Sequence, residues 1–214
     1  MKTWTMKAVA ATALTVASLL AASGAQATLS YRLNGKAVYD DVANLTWLQD
    51  ANYANYAKTS SYDVDGRTNW STAMAWASNL SIEGVDDWRL PGGPMAAGVD
   101  QTASEMGNMF YNVLGGSAYS SIRTSNNATN YAFFQNIQSY YYWSGVEFNS
   151  LNAWLFGFGY GDQSYYDKGY DLFAWAVRSG DVGGNPVPEP GALALLGAGL
   201  LVAVGVKRSR RAGA

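Results

Sequence analysis

The chain has 214 residues, a formal net charge of −2, and neither cysteine nor histidine, which excludes disulfides, thiol nucleophiles, histidine-based triads and zinc or copper held by Cys or His. The overall charge understates the acidity of the middle: residues 28–185 hold eight basic and fifteen acidic side chains, a net of −7. Such a surface argues against nucleic acid as a partner and against binding polyanions through bulk charge.

Lys2 and Lys7 make a basic start, Ala8 to Ala22 is a small-residue apolar run, and Ala25-Gln26-Ala27 has the A-x-A form. These features predict a signal peptide over residues 1–27, removed by signal peptidase to leave Thr28 as the first mature residue. Residues 28–185 then form one domain, long enough for a real core. Within it, Lys36 to Asp40 and Leu45 to Gln49 read as strands joined by Asp41-Val42-Ala43-Asn44, an opening hairpin.

Asn69 to Leu80 reads as a helix capped by Asn69, with Trp70, Ala73, Met74, Ala77 and Leu80 on one face. A second helix is expected from a capping box, Thr102-Ala103-Ser104-Glu105. Its apolar stripe is Met106, Met109, Phe110, Val113 and Leu114, with Gly115 at its end. Beyond Gly116 the period becomes two. Tyr141 to Phe148 and Asn152 to Tyr160 read as strands, and Phe173 to Arg178 as the closing strand. On the second of these, Ala153, Leu155, Gly157 and Gly159 make a small-residue face that predicts close approach of another element. The order gives an α+β domain, two helices packed on short antiparallel sheets.

Pro186, Pro188 and Pro190 hold an extended lead-in to an apolar run, Gly191 to Val206, that is short for a membrane span. Lys207, Arg208, Arg210 and Arg211 follow and would stay on the cytoplasmic side. Residues 186–214 resemble the PEP-CTERM sorting signal, with Pro188-Glu189-Pro190 as its motif. That resemblance implies a membrane helix over about 191–206, cleavage near the motif by an exosortase-type protease, and an exported protein. It would pass through an anchored inner-membrane intermediate to the surface or exterior of a Gram-negative bacterium.

Asp41-Val42-Ala43-Asn44-Leu45-Thr46-Trp47, Asp87-Trp88-Arg89-Leu90-Pro91, Tyr142-Trp143-Ser144, Asn152-Ala153-Trp154 and Ala176-Val177-Arg178 occur in one order. Together they resemble the Lcl C-terminal domain family, from about Tyr39 to Gly180. The resemblance implies a C-type lectin-like fold and, from its best-studied type, adhesion or glycan contact. The sulfated-glycan version of that contact fits poorly with the acidic charge. Pro91 is followed here by Gly92-Gly93-Pro94, where the family has Thr and a helix-starting acidic segment. The enzyme branch of that fold relies on Cys pairs that this chain lacks.

Trp88, Arg89 and Pro91 read as structural, with Arg89 paired to Asp86 or Asp87 or buried against a carboxylate. Tyr141, Trp143, Tyr160, Tyr165 and Tyr166 are the candidate ligand-binding residues, a platform for stacking on sugars with nearby polar groups fixing hydroxyls. Alternation along the strand keeps Tyr140 and Tyr142 off the face of Tyr141 and Trp143. Asp162, Asp167 and Asp171 are hard oxygen donors that suggest a calcium loop, although their spacing is not that of an EF-hand and an acidic hairpin loop is the plainer reading. Asp63 and Asp65 also read as part of an acidic loop before they read as calcium ligands. Asp86 and Asp87 are the paired carboxylates that a glycosidase would need, but adjacent residues seldom point into one cleft. No catalytic residue stands out and no cofactor is expected beyond possible calcium. The reading is a non-catalytic interaction module for extracellular polysaccharide or a surface component. The alternatives are a structural matrix or biofilm protein without a small ligand, and a carboxylate-based glycoside hydrolase.

Overall fold

β1 (Leu29–Arg32), β2 (Ala37–Asp40) and β3 (Leu45–Leu48) form an antiparallel meander, closed on its far side by β9 (Val177–Ser179), in the order β1-β2-β3-β9. The computed structural model describes residues 27–54 and 65–183; the signal segment, Asp63, the Pro188-Glu189-Pro190 motif and the apolar run of 191–206 lie outside them. Among the described residues no helix is long and apolar enough to cross a membrane. The opening hairpin is as expected, with Ala37 paired to Leu48 and Asp40 to Leu45.

Asp40 makes that hairpin turn. Its Oδ1 accepts the amides of Val42 and Ala43, each at 3.0 Å, an Asx-type bond that mimics a backbone turn. The residue is buried and its Oδ2 has no partner among the described residues. Burial raises the carboxyl above the ordinary aspartate value of 3.8. A raised acid binds more protons folded than unfolded, so its contribution to stability is present at low pH and lost as pH rises through the folded value. Wild type should therefore gain stability relative to Asp40→Asn as pH falls from neutrality toward 3.8. Urea unfolding at several pH values measures this, and a pH-independent gap between the two would show that Asp40 titrates normally.

The second sheet has the order β4-β8-β5-β6-β7, from β4 (Arg67–Thr68), β5 (Tyr141–Glu147), β6 (Asn152–Gly157), β7 (Asp162–Asp167) and β8 (Leu172–Phe173). β5, β6 and β7 are antiparallel neighbours, and β8 meets β5 in parallel at Tyr142 and Phe173. Three expectations change here. The single closing strand over Phe173 to Arg178 is two strands in different sheets, β8 and β9, with Ala174-Trp175-Ala176 crossing between them. The acidic loop expected at 161–171 is mostly β7, an edge strand that buries Gln163 and exposes Tyr165, Tyr166 and Asp167. The expected strand to Tyr160 stops at Gly157, because the Gly161 amide turns back onto the Gly157 carbonyl at 2.7 Å. The close approach predicted on its small-residue face is present: a Cβ at Gly159 would sit 3.0 Å from the Ser139 carbonyl oxygen.

α1 (Trp70–Ser78) is the expected first helix, with Asn69 Oδ1 accepting the Thr72 amide at 3.0 Å. Ala73 and Ala77 are buried as predicted, and Trp76 joins them. α2 (Glu105–Asn108) continues as a π turn over Met109–Val113, and Met106, Met109, Phe110, Val113 and Leu114 are all buried. Its cap differs from the predicted box. Ser104, not Thr102, accepts the Gly107 amide, at 3.1 Å, and the Glu105 carboxylate is engaged by Arg89. A third helix, α3 (Ala128–Tyr131), is a single turn capped by Asn127.

One continuous core lies between the sheets and helices. Trp175 is at its centre, with ring centroids of Trp47 at 4.9 Å, Phe134 at 5.3 Å and Phe158 at 5.8 Å. The Trp88-Arg89-Leu90-Pro91 segment straps the two sheets together. The Arg89 amide donates to Val177 of β9 at 2.9 Å, and the Pro91 carbonyl accepts the Gly145 amide of β5 at 2.8 Å. Trp88 is buried and donates its Nε1–H to the Val85 carbonyl at 2.9 Å.

Candidate functional site: a tyrosine-lined cleft

One face of β5, β6 and β7 carries Tyr141, Leu155, Asp162, Ser164 and Tyr166, because antiparallel register sets these alternate positions side by side. The turn after β7 brings Tyr170 and Asp171 back over this face, and β4 brings Arg67 to its rim. The result is a cleft of about 620 Å³ lined by Tyr140, Tyr141, Tyr166 and Tyr170, with Tyr165 at its margin, its ring packed on Phe148 and Trp154, and with Arg67, Asp162, Ser164 and Asp171 as its polar groups. Tyr140, Tyr165, Tyr166 and Tyr170 are all exposed.

The rings meet in two corners. Tyr140 and Tyr141 lie 5.4 Å apart at 68°, and Tyr166 and Tyr170 lie 4.6 Å apart at 77°. A hydrogen bond with Tyr170 raises the Tyr166 phenol. Arg67 leans over Tyr140, 5.7 Å from its ring centre, while Asp65 holds its guanidinium at 2.8 Å. The hydrogen bond to Asp65 raises Arg67 further. Burial raises the Asp162 carboxyl, and its Oδ1 has no hydrogen-bond partner among the described residues. Burial and then the neighbouring Asp162 raise the Tyr141 phenol. Across the Arg67–Tyr140 ridge lies a second depression of about 380 Å³, with Arg123 and Gln138 on its wall.

Of the five residues expected to bind ligand, Tyr141, Tyr165 and Tyr166 line the cleft. Trp143 is on the same sheet face but is fully buried, with its Nε1–H donated to the Thr68 carbonyl at 2.9 Å, so it is core. Tyr160 lies past the end of β6 against Tyr119, ring centroids 5.1 Å apart, and not in the cleft lining. Tyr165 also stacks on Phe148, 3.7 Å apart at 6°. Asp162 and Asp171 line the cleft, but Asp167 sits at the far end of β7, where Oδ1 accepts the Gly169 amide at 2.8 Å. The three carboxylates do not converge, and among the described residues no group of three or more acidic side chains is placed to hold a metal ion. Asp86 and Asp87 lie outside the cleft; Asp87 is a highly exposed neighbour of Arg178 at 4.0 Å.

Tyr140, Tyr170 and Arg67 were not expected. Tyr140 precedes β5, so strand alternation does not govern it, and it turns to the side of Tyr141. Tyr170 is in a turn and Arg67 in a two-residue strand, where no periodicity exists to read. Trp88 is buried, and the carboxylate that Arg89 meets is that of Glu105, not of Asp86 or Asp87. Nη1 and Nη2 each reach one carboxylate oxygen at 2.7 Å, and this bond raises the guanidinium.

Aromatic walls with few polar groups suit a flat, hydroxyl-rich ligand, because ring faces pack on apolar C–H faces and the polar groups fix orientation. A family model for the Lcl C-terminal domain matches residues 36–178, and one for the PEP-CTERM protein-sorting motif matches residues 186–211. No curated protein and no solved structure matches the chain. The sorting motif marks an exported protein handled by an exosortase-type system.

Proposed function

The chain belongs to the Lcl C-terminal domain family, and from that premise we propose that its tyrosine-lined cleft binds extracellular polysaccharide at the cell surface, without catalysis. The observation that carries this reading is the cleft itself: Tyr140, Tyr141, Tyr166 and Tyr170 around a space of about 620 Å³, with few polar groups among them. The export marked by the sorting motif supports this reading. With this reading goes a C-type lectin-like description of the mixed α+β domain, supported by two small sheets strapped together at the Arg89-Leu90-Pro91 turn. Release or retention at the surface of a Gram-negative cell follows from the same sorting route.

The test is titration of the purified protein with the host's exopolysaccharide. Tyr166→Ala and Tyr170→Ala should each weaken binding about tenfold, the value of one aromatic contact, and Tyr160→Ala should leave it unchanged. No metal belongs to this reading, so a chelator should not alter the affinity. Equal binding by all three variants overturns the cleft as the site. Two carboxylates do share the cleft, so the same samples are followed for reducing ends. Steady release that Asp162→Asn abolishes would replace the binding reading with a hydrolytic one.

A second reading has its own observation. Phe148, Trp154 and Tyr165 form an aromatic cluster with Leu151 exposed nearby, beside the edge strand β7. That surface favours a matrix protein that associates with itself.

A further inference from the structure

The charge left in the cleft specifies the sugar more closely. Among the described residues Arg67 is its one cation, and Asp65 and the Tyr140 ring already occupy it. Asp171 makes no ion pair among the described residues, and Asp162 keeps an unpartnered, buried Oδ1. The cleft thus holds two carboxylates that no described cation meets, on a domain that is itself strongly acidic. Around them stand the two tyrosine corners, whose rings meet at 68° and 77°. Rings at steep angles beside carboxylates are the arrangement that holds an ammonium group, through the negative faces of the rings and the charge behind them.

We propose that the cleft selects a saccharide carrying a free amino group, a de-N-acetylated hexosamine, whose ammonium sits between the corner of Tyr140 and Tyr141 and that of Tyr166 and Tyr170, against Asp162 and Asp171. The proposal builds on the polysaccharide reading and narrows it. A uronate or a sulfated sugar would bring a third negative charge into the cleft. An N-acetylated sugar would lose the charge and keep only the ring stacking.

The experiment titrates the full-length protein in detergent, at fixed ionic strength, with short oligomers of equal length. The oligomers are β-1,4-glucosamine, its N-acetylated form and galacturonate, and free choline is the competitor. The glucosamine oligomer should bind about tenfold more tightly than the N-acetylated one, and galacturonate most weakly. Asp171→Asn, at an exposed position that tolerates the change, should shrink that preference to within about twofold, and Asp162→Asn should do the same. Asp167→Asn, outside the cleft, should leave it intact, which separates a site from general attraction of a cation to an acidic surface. Equal affinity for the first two oligomers overturns the proposal while leaving the polysaccharide reading in place. So does a preference that Asp171→Asn does not reduce. Choline at high concentration should displace the bound glucosamine oligomer, and failure to displace it overturns the ammonium seat; binding of choline without binding of any oligomer overturns the sugar assignment. Binding of none of the oligomers overturns both readings.

Discussion

Trp175→Ala should lower the free energy of unfolding by about 4 kcal/mol, within the range for emptying a large aromatic site in a core. Trp175 is fully buried where the chain leaves the five-stranded sheet for the four-stranded one. Its ring touches Trp47 from the smaller sheet side and Tyr142 and Phe158 from the larger. Its Nε1–H also donates to the Leu48 carbonyl at 2.7 Å, and truncation leaves that buried oxygen with one bond fewer. Trp175→Phe keeps most of the ring volume and loses the hydrogen bond, so it should cost about 2 kcal/mol. A domain of this size is stable by only about 5–15 kcal/mol, so the Ala variant should sit near its unfolding midpoint at modest urea. Denaturant curves of the three proteins, with a common slope, give the comparison. A loss below about 1 kcal/mol for Trp175→Ala would mean that the crossing segment is not what unites the sheets.

The elements written into short stretches of sequence are the ones that sequence reading recovers. The Asp40-to-Leu45 turn, the buried stripe Met106 to Leu114 and the strand at Tyr141 each follow from residues within one or two turns of each other. Phe173 to Arg178 shows where that stops. Its residues are nearly all apolar and would suit a buried strand throughout. What splits them is that Phe173 pairs with Arg67 while Val177 pairs with Trp47, and no local period records a change of partner. β7 was hidden for the opposite reason: Asp162, Gln163 and Ser164 have low strand preference and are held by pairing to Gly157, Phe156 and Leu155. The cleft was half legible for the same cause. Tyr141 lies in a clear strand, whereas Tyr166 belongs to the hidden β7, and Arg67 and Tyr170 arrive from elements that exist only through their partners.

Arg89 carries the same lesson into a measurement, since its sequence neighbours Asp86 and Asp87 suggested a partner and the fold supplied Glu105. Glu105→Ala should cost about 3 kcal/mol, because the carboxylate accepts three bonds of 2.7 Å each, two from Arg89 and one from the Gly92 amide. The Glu105 amide in turn donates to the Gly92 carbonyl at 3.0 Å, so the pair fixes the loop after Pro91. The Arg89 side chain stays 40% exposed, and water can solvate a guanidinium left alone. That keeps the loss at the lower edge of what breaking a fully buried pair costs. Arg89→Lys retains the charge but not the two parallel donors, so it should recover only part of the stability. In a double-mutant cycle Arg89 and Glu105 should couple by about 1–2 kcal/mol. Asp87→Asn, by contrast, removes an exposed carboxylate 4.0 Å from Arg178, at a left-handed backbone position that asparagine also accepts, and should change stability by less than about 0.5 kcal/mol. If Asp87→Asn and Glu105→Ala instead prove equally mild, the strap between the sheets is held by its backbone bonds to Val177 and Gly145 alone, and the ion pair only decorates it.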